Sequence, residues 1–261
     1  LYEELDIEAT HFTPLIRIHH DYGDKQVLLD VWTVSRFEGA PQGREGQEII
    51  WVSDNELEQY DFPAANAPIV TAAQLPDTYL ITPEPEDINK FLTELENTLK
   101  HDIHMVQLRA KRLSDEEYIG LAERVLRICH KHKAKLLLNH NIDILQHVDA
   151  DGIHLSSAKL SGLDSINMPK QKLLSASCHN EDEIEKANEL GIDFVLVSPV
   201  MPTLSHPGAA TLDWRGLYRL SEQAKMPVYA LGGMDIDDIE QARTYGAQGI
   251  ATIRSLWSAL C

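Results

Sequence analysis

The stretch Met105-Val106-Gln107-Leu108-Arg109-Ala110-Lys111, followed by an amphipathic helical stretch and then by Lys135-Leu136-Leu137-Leu138-Asn139-His140, decides the fold. Each piece is a four-residue, mostly apolar run, too short for a helix, that ends abruptly in polar residues. The same rhythm sets further candidate strands at Tyr79-Leu80-Ile81, Gly152-Ile153-His154-Leu155, Leu173-Leu174-Ser175-Ala176, Phe194-Val195-Leu196-Val197, Val228-Tyr229-Ala230-Leu231 and Gly249-Ile250-Ala251-Thr252. Short buried runs alternating with amphipathic helices are the pattern of parallel βα units. Eight of them in about 180 residues predict a compact (β/α)8 TIM barrel, slightly below the usual size for that fold. A doubly wound open sheet is the alternative, but polar residues follow nearly every strand, as a ring of loops on one barrel face requires.

Upstream the rhythm differs. From Ile16 to about Trp51, apolar alternation is broken by turns, with Val27 to Val34, Phe37-Glu38-Gly39 and Ile49-Ile50-Trp51-Val52 reading as pieces of a small strand-rich unit. A short helix is expected near Ile69 to Gln74, and Leu75-Pro76-Asp77 reads as a domain boundary, giving domains over 1–75 and 77–261. The 261 residues accommodate two such domains. The chain begins at Leu1 within a helical pattern, which suggests that its N-terminal part is missing.

A formal charge of -18 disfavours direct binding to duplex nucleic acid, because phosphate neutralisation needs a basic face. Small phosphorylated ligands stay compatible with it through local cations. No apolar run approaches the roughly 20 residues that span a bilayer. Cys129, Cys178 and Cys261 show no paired spacing, which fits neither a disulfide framework nor a zinc site and suits a reducing, cytoplasmic setting.

If the barrel closes, its catalytic face collects the residues at the strand ends. After the second strand come Gln107, Arg109 and Lys111, an amide and two cations on alternating positions, suited to a phosphate or a polar ring. After the third stand Asn139-His140, after the fifth Ser177-Cys178-His179, and after the sixth Ser198-Pro199-Val200-Met201-Pro202-Thr203 with Ser205, His206 and Gly208. Gly232-Gly233 follow the seventh, where a bare backbone can bring N–H groups to an anion, and Arg254-Ser255 follow the eighth. Singly these are weak: a Gly-Gly pair is often a tight turn, and a lone histidine is usually solvated.

Their order is the stronger signal. V-Q-L-R-x-K, L-L-L-N, D-G-I-H-L, S-C-H, S-P-V-x-P-T-x-S-H-P-G-A, A-L-G-G-M and G-A-Q-G-I-A together resemble the thiamine phosphate synthase family and its TenI-like relatives, over roughly Asp77 to Trp257. The resemblance implies a thiazole phosphate held by the glycine loop and the loop after the eighth strand, with Gln107, Arg109, Lys111, Asn139, Ser177, Thr203, Ser205, Gly232, Gly233, Arg254 and Ser255 as substrate-binding residues. In the synthases, Mg²⁺ holds the diphosphate of an aminopyrimidine while the thiazole nitrogen displaces it. Two carboxylates that serve this metal are replaced here by His140 and Lys159, and His206 stands at a family lysine position. Mg²⁺ demands hard oxygen ligands, so no metal is firmly implied for the barrel. TenI-like proteins also lack those carboxylates, and their link to thiazole tautomerisation makes His179 the catalytic candidate. Imidazole can take a proton from one carbon and return it at another near neutral pH. The plainer alternative is that His179 caps the helix beginning at Asn180-Glu181.

The N-terminal succession Leu1-Tyr2-Glu3-Glu4-Leu5-Asp6-Ile7, Phe37-Glu38-Gly39, Arg44-Glu45-Gly46-Gln47 and Asp61 to Asn66 resembles the C-terminal half of MutT-type Nudix hydrolases, an α/β/α fold here only partial. Their motif R-E-L-x-E-E-x-G-I is met from its Leu onward, with Asp6 at the Gly position. The resemblance implies Mg²⁺ ligation by Glu3, Glu4 and Glu45, a catalytic role for Glu4, and recognition of an oxidised purine by Asn66. The leading expectation is thus an 8-oxo-dGTP diphosphatase in an intact parent, serving nucleotide-pool sanitation and DNA repair, impaired in these residues and fused to the barrel. The alternatives are a thiamine-pathway enzyme, either a tautomerase or less readily a synthase, and a noncatalytic domain that senses a thiamine precursor.

Overall fold

The computed structural model describes residues 1–21, 23, 25–169, 171–203, 208 and 210–258. They divide into two compact units, Leu1–Leu75 and Pro76–Cys261.

The first unit starts with the short helix α1 (Tyr2–Leu5). It ends at Asp6 in the left-handed region (φ 59°), a conformation that costs little in glycine and is tolerated by aspartate. Strands β1 (Glu8–Asp21) and β2 (Gln26–Glu38) then pair antiparallel, from Glu8 opposite Glu38 to Asp21 opposite Gln26. Ile16 and Ile18, two residues apart and therefore on one face, are buried with Ala72 of α2 (Ala67–Gln74), joined by Leu15, Leu29, Val31 and Ile69. Helix α2 starts two residues before the expected Ile69, because Pro68 is well suited to a first turn. The expected strand at Ile49–Val52 does not form. That segment has no regular structure, Ile50 and Trp51 are exposed, and Trp51 stacks on Phe37 at 6.3 Å instead of entering a ladder.

The second unit is a closed barrel of eight parallel strands in the order β10-β3-β4-β5-β6-β7-β8-β9. They are β3 (Thr78–Ile81), β4 (Met105–Leu108), β5 (Lys135–Leu138), β6 (Gly152–Leu155), β7 (Leu173–Cys178), β8 (Phe194–Val197), β9 (Val228–Leu231) and β10 (Gly249–Thr252). Helices α3 (Ile88–Thr98), α4 (Asp115–Lys131), α5 (Ser157–Ser161), α6 (Glu181–Leu190), α7 (Asp213–Ser221), α8 (Ile239–Thr244) and α9 (Arg254–Ser258) follow seven of the strands. Only a 3-10 turn, Ile142–Gln146, lies between β5 and β6, because residues 139–151 leave little room for a longer helix.

Strands buried on both sides explain the mostly apolar runs. One set of side chains, such as Leu136, Leu138, Ile153 and Val195, packs outward with α3, α4 and α6 residues such as Leu95, Val125 and Ile184. The other set fills the barrel. Tyr79, Phe194 and Tyr229 come from strands that are not all neighbours, and their rings meet at 5.5 to 5.9 Å, which requires contact across the interior. Each fully buried large side chain contributes roughly 1.5–3 kcal/mol.

Candidate active site

The polar residues at the strand ends gather on one face because the eight strands are parallel. At the end of β3, the hydroxyl of buried Thr82 accepts the Arg109 backbone N–H at 3.0 Å. Glu84 accepts the N–H groups of Lys111 (3.1 Å) and Arg112 (2.9 Å) and lies 4.0 Å from the Arg109 guanidinium. This carboxylate shapes the loop after β4 and partly neutralises Arg109, which sequence reading treated as a bare cation.

Gln107 is buried, accepting from the Asn139 side-chain amide at 3.0 Å and donating to the Tyr79 hydroxyl at 3.3 Å. Across the barrel, His154 is wedged between Ser175 Oγ at its Nδ1 and Ser177 Oγ at its Nε2, each at 2.8 Å. Burial depresses the His154 pKa to about 3, so the ring is neutral.

His179 follows β7. Its Nδ1 lies 2.6 Å from the Ser198 carbonyl oxygen and 3.3 Å from the Ser198 hydroxyl, while its backbone N–H donates to Glu183 at 2.7 Å. A carbonyl oxygen only accepts, so Nδ1 carries the proton and Nε2 presents a lone pair. The capping alternative is not what forms: the Asn180 side chain accepts from Glu183 N–H and caps α6.

Gly232 (φ 99°) and Gly233 (φ 68°) turn the chain after β9. A Cβ on Gly232 would stand 2.9 Å from Pro199 Cα, and one on Gly233 2.7 Å from the Pro202 carbonyl oxygen. Both glycines thus permit close packing of this turn on the loop after β8. Ser255 at the start of α9 reaches the Met234 carbonyl oxygen (3.2 Å) and Thr252 Oγ1 (2.9 Å), tying the last two loops together beside Arg254. Thr203 is half-buried in the β8 loop, and Ser205 lies outside the described residues.

The donor set around β5 and β6 does not fit Mg²⁺. His140 lies against the Tyr118 ring at 4.8 Å with Nε2 3.3 Å from Asp115, and its buried Nδ1 has no partner among the described residues. Lys159, half-buried on α5, has its pKa lowered by desolvation, with Asp115 opposing and Lys111 reinforcing the shift. An imidazole and an ammonium at these positions supply no oxygen ligands, and the nearby carboxylates, Asp115 beside His140 and Asp143 in a hollow shared with Lys159, belong to no group of three or more His, Cys, Asp or Glu side chains that could hold a metal among the described residues.

In the first unit, Glu3 and Glu4 are exposed on α1 and Glu45 is exposed in the loop after β2. The Glu4 carbonyl accepts from Arg44 N–H and the Gln47 side chain, and Arg44 pairs with Asp6 at 2.9 Å while covering the Tyr2 ring. These bonds bring the loop to α1, yet among the described residues no group of three or more His, Cys, Asp or Glu side chains converges on a point where a metal could sit. The expected Glu3, Glu4 and Glu45 ligand set is therefore not assembled in these residues. Asn66 is half-buried at the start of α2 and makes no capping hydrogen bond.

Sequence reading missed Tyr79, Thr82, Glu84, His154 and Ser175. His154 stood inside a quoted motif, and its signal was a polar residue in an otherwise apolar strand. Ser175 carried a signal too, since it shares a face with Ser177 two residues on. No described helix is long and apolar enough to cross a membrane.

Residues 1–72 match the family model described as NUDIX domain. For the barrel, a putative thiamine-phosphate synthase 2 of Aquifex aeolicus is 37% identical over 180 residues, covering 69% of this chain and 97% of the relative. The thiamine-phosphate synthase of Fusobacterium nucleatum is 30% identical over 182 residues, covering 69% and 88%. The solved thiamine phosphate pyrophosphorylase from Pyrococcus furiosus superposes with a TM-score of 0.55 at 22% identity, covering 73% of this chain and 88% of that one, a likeness of fold. Against these relatives, the expectation that put oxidised-nucleotide hydrolysis first gives way to its thiamine-pathway alternative. Residues 78–256 match the family model described as Thiamine monophosphate synthase, and this chain belongs to that family.

Proposed function

We propose that the barrel is a thiamine-pathway enzyme that binds a thiazole phosphate at its C-terminal face and moves a proton on it through His179. The observation that carries this reading is the exposed His179 ring, held by the Ser198 carbonyl at 2.6 Å so that Nδ1 carries a proton and Nε2 of the neutral ring is left as the acceptor. His179 Nε2 takes a proton from one carbon of the thiazole and returns it at another, so the reaction is balanced without a co-reactant. The Ser198 carbonyl accepts from Nδ1–H throughout and stabilises the transient imidazolium. The phosphate is held by the Gly232-Gly233 turn, Arg254 and Ser255, with Thr203 and Ser205 from the β8 loop. Gln107, Arg109, Lys111, Asn139 and Ser177 orient the ring.

The replacement of the metal carboxylates by His140 and Lys159 supports proton transfer over diphosphate displacement. The names of the relatives favour a second reading, thiamine phosphate synthesis. A calorimetric titration with hydroxyethylthiazole phosphate, with and without Mg²⁺, tests the site. Binding that Mg²⁺ does not alter, with turnover of the thiazole tautomer, supports the first reading. Mg²⁺-dependent formation of thiamine phosphate from the thiazole phosphate and an aminopyrimidine diphosphate establishes the second, and no binding in either condition removes both.

A further inference from the structure

His179 is held from two sides, and the two sides are built differently. Toward β8 the backbone ladder runs right up to it: the Ser198 N–H donates to the Cys178 carbonyl at 3.1 Å, and the Ser198 carbonyl accepts from the ring. Toward β6 the ladder ends with Leu155 opposite Ala176, three residues before His179. A side chain takes over there. Glu183 Oε2 accepts the His179 backbone N–H at 2.7 Å, and Glu183 Oε1 accepts the hydroxyl of Ser157, the first residue of α5, at 2.6 Å.

Local sequence alone would place this carboxylate elsewhere. Asn180 caps α6, and Glu183 occupies the third helical position, from which a glutamate ordinarily reaches back to the backbone N–H of the cap itself. Glu183 instead reaches one residue further back, to His179, and across to the loop after β6. It is half-buried with a partner on each oxygen, and hydrogen bonds to a carboxylate are the stronger kind. The His179 ring is exposed and turns about two side-chain torsions, so its placement depends on how firmly its backbone is held.

We propose that Glu183 is a positioning residue for His179: braced on Ser157, its carboxylate pins the His179 backbone so that the ring meets the Ser198 carbonyl and presents itself to substrate in one orientation. The loops after β6, β7 and β8 are thereby joined around a single imidazole. Glu183 acts through geometry, by hydrogen bonds that an amide can reproduce, and contributes no proton to the reaction. Misplacing a reacting group by about 1 Å costs about 10²-fold in rate, which sets the size of the effect. The catalytic consequence rests on the thiazole phosphate reading above, whereas the placement of the ring does not.

Three variants of the full chain test it. Glu183→Gln can accept from His179 with its amide oxygen and donate to the Ser157 oxygen with its NH₂, Glu183→Ala removes both bonds, and Ser157→Ala removes only the brace. In turnover of the thiazole phosphate tautomer, Glu183→Ala should lower kcat about 10- to 100-fold and Ser157→Ala about 3- to 10-fold, while Glu183→Gln stays within about 3-fold of wild type. KM should stay within about 3-fold in all three, because the phosphate is gripped on other loops. Wild-type kcat in Glu183→Ala, a Glu183→Gln as slow as Glu183→Ala, or a KM that rises as kcat falls overturns the proposal. Where Glu183→Ala fails to fold, Ser157→Ala carries the test in the same direction. Ring placement is read without substrate by long-range ¹⁵N–¹H correlation spectroscopy with ¹⁵N-histidine at about pH 9, where imidazole is neutral, assigned with His179→Asn. The Nδ1–H form should predominate in wild type and Glu183→Gln and lose that predominance in Glu183→Ala; an unchanged spectrum in Glu183→Ala overturns the positioning role. A wild-type chain that turns over no thiazole tautomer overturns the functional reading and the catalytic consequence, while the spectrum still decides whether Glu183 places the ring.

Discussion

The His179 ring and the Ser198 carbonyl oxygen, 2.6 Å apart, join the ends of two neighbouring barrel strands, β7 and β8. The contact selects one imidazole tautomer of the neutral ring, with the proton on Nδ1 and Nε2 left as the acceptor. Replacement by asparagine keeps a donor near the Nδ1 position and deletes Nε2. His179→Asn should therefore lower tautomerase turnover by about 10²- to 10⁴-fold, the range for loss of a general base, with little change in thiazole phosphate affinity. Turnover at the wild-type rate, measured by deuterium exchange into the substrate, removes His179 from the chemistry.

Gly233 separates a packing role from a binding role. Its φ of 68° and the 2.7 Å approach of a Cβ to the Pro202 carbonyl predict that Gly233→Ala loses about 1–3 kcal/mol of stability and displaces the β8 loop. Chemical denaturation gives the first quantity and calorimetry the loss of phosphate affinity. Undiminished stability would mean that the turn tolerates a side chain.

His154 makes barrel stability depend on acidity. Its pKa falls from 6.5 to about 3 on folding through burial, so below the unfolded value the unfolded chain binds the additional proton. The contribution is fully present above pH 6.5 and is lost as pH falls toward 3, with a slope of about 1.4 kcal/mol per pH unit. His154→Gln, which cannot titrate, should lack that component when unfolding free energies of the two proteins are compared across the window. Parallel curves would show that the ring is solvated.

The Nudix-like unit yields the opposite kind of prediction. With Glu3, Glu4 and Glu45 not converging on a metal position, this chain should release no diphosphate from 8-oxo-dGTP with Mg²⁺ above the protein-free rate. Diphosphate release that is abolished by Glu4→Gln would restore the hydrolase reading for these residues.

The barrel was legible in the sequence because its strands are buried on both faces, so short, mostly apolar runs such as Met105–Leu108 and Phe194–Val197 stand out with their polar ends marking one face. The list of face residues followed from those ends, and the substitutions His140 and Lys159 were visible as departures from a known order. The apolar run Ile49–Val52 misled, because apolar content alone does not supply a neighbouring strand edge, and Trp51 found the Phe37 ring instead. What tertiary structure alone decided is how those residues are paired. Barrel closure brings Tyr79 against Phe194 and Tyr229 of distant strands, and the pairing of β6 with β7 leaves His154 buried between two hydroxyls. Chain reversal after β3 brings Glu84 under the loop after β4, turning Arg109 from a free cation into a partnered one. Spacing along a chain determines which face a side chain takes, but partners from distant strands meet only once the sheet has closed.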